Sequence, residues 1–86
     1  MLSQSKAMNR RSRVTATDLF VLLEREFHRR KPRGCEACYV PLPFRVPGRA
    51  NGVANWQIVP PAECESRCAF VLEDIARKLQ SMYALA

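Results

Sequence analysis

The sequence GCEACY at residues 34–39 and the sequence ECESRC at residues 63–68 place four cysteines in two closely spaced pairs. Two residues separate the cysteines of the first pair. Three residues separate those of the second pair, which would lie one turn apart on the same face of a helix. A chain of 86 residues buries little apolar surface, and domains of this size commonly need a metal, disulfides or a partner chain for stability. The cysteine pairs are therefore the features on which the fold depends.

Four thiolates in this arrangement predict a tetrahedral metal site. We expect one structural Zn²⁺ per chain, held by Cys35, Cys38, Cys64 and Cys68. The N-terminus of a helix at the second pair lowers thiol pKa and favours the thiolate that a metal requires. Four alternatives stay open, namely disulfides, a redox role of the cysteines, uncoordinated core cysteines at Cys64 and Cys68, and iron in place of zinc.

The expectation of reduced cysteines depends on the location of the protein. Arg10 and Arg11 before an apolar stretch resemble the start of a twin-arginine export signal. The segment that follows carries Asp18, Glu24 and Glu26, and no cleavage site of small residues interrupts it. We therefore expect an unexported, cytoplasmic protein, in which thiols bind metal more often than they form disulfides.

The segments around the cysteines predict an α+β domain in the order helix, zinc knuckle, β-hairpin, helix. Apolar residues with helical spacing predict helices over residues 14–31 and 61–84, the first of them capped by Thr15. Between them, residues 40–47 and 56–59 predict an irregular hairpin joined by a loop over residues 48–55. The prolines of the first strand all fall on one hydrogen-bonding edge, which must then face solvent.

A knuckle with Cys35 and Cys38, a hairpin, and a helix whose first turn carries Cys64 and Cys68 resemble a treble-clef zinc finger. The resemblance covers Cys35 to about Met82 and is one of architecture and spacing. It implies a structural zinc ion and a role in nucleic-acid binding, protein docking or structural support. Because four thiolates fill the coordination shell of zinc, we expect no enzymatic activity and no small-molecule substrate.

Positive charge is concentrated in two places in a chain of net charge +6. Residues 1–13 contain four basic residues and no acid, which predicts a disordered basic arm before a single zinc-binding domain over residues 14–86. The second concentration surrounds the knuckle and predicts a face that contacts DNA or RNA. Its candidate residues are Arg29, Arg30, Lys31, Arg33, Arg45 and Arg49.

Aromatic residues lie between these basic residues. Tyr39, Phe44 and Trp56 could stack on unpaired bases. We expect Phe44 and Trp56 instead to fill the core, because they are the largest apolar groups of the hairpin. His28 is expected to be a solvated helix residue.

The alternative function is a protein-interaction or adaptor module without nucleic-acid binding. The C-terminal helix is apolar on more than one side, and Phe70 with the end at Met82 and Leu85 could bind a protein partner or a second copy. No apolar run is long enough to cross a membrane, so we expect no membrane partner.

Overall fold

A computed structural model of the protein describes residues 11–47 and 54–86. Two helices and four short strands form a small α+β fold, which confirms the fold class predicted from the sequence. In chain order the elements are β1 (Ser12–Val14), α1 (Ala16–Arg30), β2 (Phe44–Arg45), β3 (Trp56–Gln57), α2 (Ser66–Gln80) and β4 (Tyr83–Leu85).

Helix α1 begins directly after Thr15, the residue predicted to cap it. The Thr15 hydroxyl oxygen accepts a hydrogen bond from the backbone N–H of Asp18 at 3.1 Å, which satisfies one of the unpaired donors of the first turn. Leu19, Leu23 and Phe27 form its buried face. The helix ends at Arg30, because the chain must become extended before Pro32.

Helix α2 is shorter than the sequence predicted at both ends. Residues 61–64 form a turn closed by a hydrogen bond from the N–H of Cys64 to the carbonyl of Pro61 at 3.0 Å, and the helix begins only at Ser66. Cys64 therefore lies before the helix, and the prediction that it shares a helical face with Cys68 is wrong. At the other end the helix stops at Gln80, and the following residues form β4.

The first and last described segments pair as parallel strands. Ser12 of β1 aligns with Tyr83 of β4, and Val14 aligns with Leu85. The N–H of Ala86 donates to the carbonyl of Val14 at 2.7 Å, which extends the pairing by one residue. Ser12 and the next residue belong to the predicted basic arm but form β1, whereas residues 1–10 lie outside the described part of the chain.

The hairpin is present in a short form. Strands β2 and β3 are antiparallel, and the N–H of Val46 donates to the carbonyl of Asn55 at 2.9 Å. Because the N–H of Val46 points to β3, its neighbour Pro47 faces the opposite edge, whereas Pro41 and Pro43 precede the two-residue strand β2. The loop predicted over residues 48–55 falls mostly outside the described residues.

The core lies where the hairpin and β4 meet the two helices. Trp56 is fully buried, as predicted, and its indole N–H donates to the carbonyl of Tyr83 at 3.1 Å. The side chain of Gln80 donates to the carbonyl of Trp56 at 2.8 Å. Phe44 was expected in the core as well, but it is 43% exposed, and so is its neighbour Arg45, because neither face of the two-residue strand β2 is covered.

Neither helix of the described chain has the length and apolar character that a membrane span requires.

Candidate functional site

The four cysteines form two disulfides, Cys35–Cys68 and Cys38–Cys64. The prediction of a zinc ion held by four thiolates is therefore wrong, as is the wider prediction of a zinc-binding domain. The segments with the paired cysteines do meet in space, but each sulfur bonds to a sulfur and cannot act as a thiolate ligand. Among the described residues, no three His, Cys, Asp or Glu side chains are placed to hold a metal together.

The resemblance to a treble-clef zinc finger is overturned by the same finding. In such a finger, the last two ligands lie in the first turn of the final helix. Here only Cys68 lies in helix α2, whereas Cys64 belongs to the preceding turn. The spacing of the cysteines was compatible with a finger, but their bonding is not.

The disulfides also correct the predicted cytoplasmic location. Thiols in the cytosol are kept reduced, whereas small domains with several disulfides are typical of oxidising compartments. Two disulfides in a domain of 86 residues indicate an oxidising, extracellular or secreted environment. The spacing of the cysteines is compatible both with disulfides and with a metal site. The expectation of a cytoplasmic location favoured the metal site, and that expectation was wrong.

Two tight turns position the inner disulfide. The N–H of Cys38 donates to the carbonyl of Cys35 at 3.0 Å, and the turn that ends at Cys64 is closed by a hydrogen bond between residues of the same spacing. Gly34 enters the first turn with a φ of +87°, in the left-handed region that favours glycine. The guanidinium of Arg67 donates to the carbonyl of Arg33 beside that glycine and so connects the turn to α2.

Two arginines of the basic face predicted to contact nucleic acid form ion pairs within the protein. Arg29 pairs with Glu26 at 3.0 Å, and Arg30 pairs across the two helices with Asp74 at 2.7 Å. The hydrogen bond from Arg29 lowers the pKa of Glu26, and that from Arg30 lowers the pKa of Asp74. These arginines already have carboxylate partners and are not arranged for phosphate.

The other candidates of that face are separated from one another. Lys31 lies over the ring of Phe27, with Nζ 5.8 Å from the ring centroid, and Arg45 donates to the carbonyl of Ala86. Arg33 is exposed, and Arg49 lies outside the described residues. The prediction of a zinc module that binds nucleic acid is therefore wrong, because the cysteines that were to hold the zinc are bonded to one another as disulfides.

A groove lies between the second half of α1 and the segment that follows the first turn. Its volume is about 780 Å³. The buried side chains of Phe27, Cys38 and Val40 line it, and we call the segment 38–40 the groove wall. Val21 and Tyr39 also line the groove and are themselves 44% and 54% exposed, so the groove is an open trough and not an enclosed cavity.

The rim of the groove is charged and mostly cationic. Arg25, His28, Arg29 and Lys31 lie on it, with Glu24 as its acidic member. Arg25 and His28 form no hydrogen bond or ion pair with the described parts of the chain, so both are available to a ligand. The groove thus combines an apolar interior with positive charge at its edge.

Sequence reasoning missed this site. It singled out Tyr39, Lys31 and His28 separately, but it ignored Val21 and Arg25, which lie on the outer side of α1. The available signal was Val21 itself, an apolar residue outside the buried face of an amphipathic helix.

Other apolar side chains are also exposed. Phe70 is 60% exposed and Met82 is 45% exposed, whereas Leu85 is buried, so only part of the predicted C-terminal surface faces solvent.

Comparison of the chain with protein-family models, with curated proteins and with solved structures finds no match.

Proposed function

We propose that this protein is a disulfide-stabilised, non-catalytic binding module of an oxidising compartment. Its groove takes a segment of a partner protein that carries a large apolar side chain next to an acidic residue. The observation that supports this proposal is the combination of the apolar interior at Phe27 and Val40 with the cationic rim at Arg25 and Lys31.

The shape of the groove favours a peptide over a small molecule. A small ligand usually loses most of its surface to the pocket that binds it. A trough whose sides at Val21 and Tyr39 are half exposed covers only one side of its occupant. An extended peptide suits such a trough, because it can place one side chain inward and leave the rest of its surface in solvent.

The charge of the protein favours an acidic partner. The chain carries a net charge of +6, so two copies repel each other, whereas an acidic protein is attracted before contact. At the groove, Arg25 and His28 lack partners within the described chain and can donate to a carboxylate. Tyr39 offers a rigid aromatic surface of the kind enriched in protein interfaces.

The test is a selection of random peptides displayed on phage against the oxidised protein. We expect the enriched peptides to combine Asp or Glu with an aromatic residue or leucine. Arg25→Glu should weaken their binding on the order of tenfold, because it places a like charge opposite the peptide carboxylate. Arg13→Glu in β1 changes the net charge equally but lies away from the groove, and it should have little effect.

A second pair of variants tests the apolar contact. Tyr39→Ser should weaken binding, whereas Phe70→Ser removes an equally exposed aromatic side chain outside the groove and should not. Failure to enrich any peptide would contradict the proposal. So would peptides whose binding responds equally to Arg25→Glu and Arg13→Glu, since that pattern indicates attraction to net charge alone.

A further inference from the structure

We propose that the Cys38–Cys64 disulfide is a thiol-exchange site. A dithiol reductant opens it while Cys35–Cys68 stays closed, and its opening releases the groove wall at residues 38–40. The exchange reaction is inferred from the positions of the two disulfides alone. Its consequence for binding rests on the proposed function of the groove.

The two disulfides differ in their access to solvent. Cys35 and Cys68 are 1% and 0% exposed, so an incoming thiol cannot approach either sulfur without unfolding of the core. Cys64 is only partly buried, whereas its partner Cys38 is 5% exposed, so Cys64 is the point of attack. Because thiol–disulfide exchange requires access of the attacking thiolate to a sulfur, the Cys38–Cys64 bond reacts first.

The disulfides are also nested, so the outer one joins the same two segments as the inner one. Cys35–Cys68 joins residues 33 apart in sequence and encloses Cys38–Cys64, which joins residues 26 apart. When the inner bond opens, the outer bond still fastens the first turn to α2. Cys64 lies in a turn before that helix and not within it, so it can move without breaking helical hydrogen bonds.

Release of Cys38 changes the groove directly. Cys38, Tyr39 and Val40 are consecutive lining residues, and the disulfide at Cys38 is the covalent attachment of this wall to the segment before α2. Without it, the wall depends on the burial of Val40 and on the short hairpin that follows. We therefore expect the reduced protein to keep its helices and lose a defined groove.

The reaction balances with a dithiol as the only co-reactant. A thiolate of the dithiol attacks Sγ of Cys64, the S–S bond to Cys38 breaks, and Cys38 leaves as a thiolate that takes a proton from water. The second thiol of the reductant, as its thiolate, then attacks the mixed disulfide and releases the Cys64 thiolate, which is protonated in turn. The protein gains two thiols, and the reductant becomes a disulfide.

The test uses the whole oxidised protein and dithiothreitol in increasing concentration. New thiols are trapped with N-ethylmaleimide and assigned by peptide mass spectrometry. We expect Cys38 and Cys64 to be labelled at least about tenfold faster than Cys35 and Cys68, with the helical circular dichroism retained. Labelling of Cys35 and Cys68 first, or of all four cysteines together, would overturn the proposal.

Hydrogen exchange then tests the release of the wall. The double variant Cys38→Ala/Cys64→Ala should show faster exchange of the amide of residue 38, which donates to the carbonyl of Cys35 at 3.0 Å, than the oxidised protein, with the amides of α1 still protected. Unchanged exchange at this amide would contradict the release. Neither readout uses a peptide ligand, so both stay interpretable if the groove binds none; where peptides do bind, the double variant should bind them on the order of tenfold more weakly.

Discussion

The side-chain amide of Asn55 pairs with both backbone polar groups of Leu85. Nδ2 donates to the Leu85 carbonyl at 2.9 Å, and Oδ1 accepts from the Leu85 N–H at 2.8 Å. Asn55 thus takes the place of a neighbouring strand along β4, whose other edge pairs with β1. This contact connects the hairpin to the parallel strand pair.

Replacement of Asn55 tests that connection. Asn55→Ala leaves a donor and an acceptor of the part-buried Leu85 backbone unpaired, and we expect it to lower the free energy of unfolding by about 1–3 kcal/mol. Asn55→Asp should cost at least as much, because it aims an anionic oxygen at the Leu85 carbonyl. Chemical denaturation measures both, with the exposed Gln57→Ala as the control. A loss for Asn55→Ala no larger than that for the control would contradict the assignment.

The bonding of the cysteines predicts the mass and the response to chelators. The protein purified without reductant should be lighter than the reduced chain by the four hydrogens lost in two disulfides. Excess EDTA should leave its thermal unfolding unchanged, whereas dithiothreitol at high concentration should lower the unfolding temperature by opening both bonds. Native mass spectrometry and circular dichroism check these outcomes. A zinc adduct that EDTA removes with loss of structure would refute the disulfide assignment.

The ion pairs of Glu26 within α1 and of Asp74 between the helices predict a dependence of stability on pH. Hydrogen bonds from Arg29 and Arg30 hold the pKa values of Glu26 and Asp74 below their ordinary values of 4.5 and 3.8. A carboxyl with a lowered folded-state pKa stabilises the fold above its unfolded-state pKa and loses this effect as pH falls through the folded-state pKa. The unfolding temperature should therefore decline as pH falls below about 4.5. The side chains of Glu26 and Asp74 are 21% and 41% exposed, so solvent screens both ion pairs and we expect a small decline.

The matched variants are Glu26→Gln and Asp74→Asn. Each removes one carboxylate, and the combination should flatten the acid limb of the stability profile between neutral pH and pH 3. Glu73→Gln, which removes an exposed carboxylate of α2 without an ion pair in the described chain, should leave the limb as it is. An unchanged acid limb in the double variant would assign the pH dependence to other groups.

Gly34 offers a test of the turn before the first cysteine. A Cβ on this glycine would lie 2.6 Å from Nη2 of Arg67, and its φ of +87° disfavours any side chain. We expect Gly34→Ala to cost about 1–2 kcal/mol. In an Arg67→Ala background the steric part disappears, so the remaining cost of Gly34→Ala should be smaller and due to the backbone alone. Equal costs in the two backgrounds would show that Arg67 does not restrict the site.

The parts of the fold that the sequence predicted have strong local signals. The cap at Thr15, the apolar face of α1 and the burial of Trp56 each follow from a few neighbouring residues. Strands β1 and β4 have no such signal, since each is three residues long and their partners lie about 70 residues apart in sequence. The apolar helical spacing of α2 continues in the sequence to Met82, so it does not reveal that the helix ends at Gln80 and is followed by β4.

The candidate site was less predictable than the fold. The spacing of cysteines restricts which segments meet, but the choice between metal and disulfide depends on the redox compartment, which the sequence did not reveal. The groove arises where the outer side of α1 faces the segment after Cys38. Only the packing of the chain brings Val21 and Tyr39 to the same trough.

The nested disulfides predict that their contributions to stability are not additive. In the chain-entropy description, either bond alone closes a long loop and stabilises by about 3.5 kcal/mol, whereas the second bond closes only a short ring and adds about 2.5 kcal/mol. Loss of Cys38–Cys64 or Cys35–Cys68 alone should therefore cost about 2.5 kcal/mol, and loss of both about 6 kcal/mol.

Paired alanine variants measure this coupling by chemical denaturation. The variants are Cys38→Ala/Cys64→Ala, Cys35→Ala/Cys68→Ala and the combination of all four. Truncation of the buried Cys35 and Cys68 adds a packing cost to their pair, but that cost appears in both arms of the cycle and cancels in the coupling. A quadruple variant that loses no more than the sum of the two pairs would show that each bond restricts the unfolded chain independently, which the nested connectivity forbids in this description.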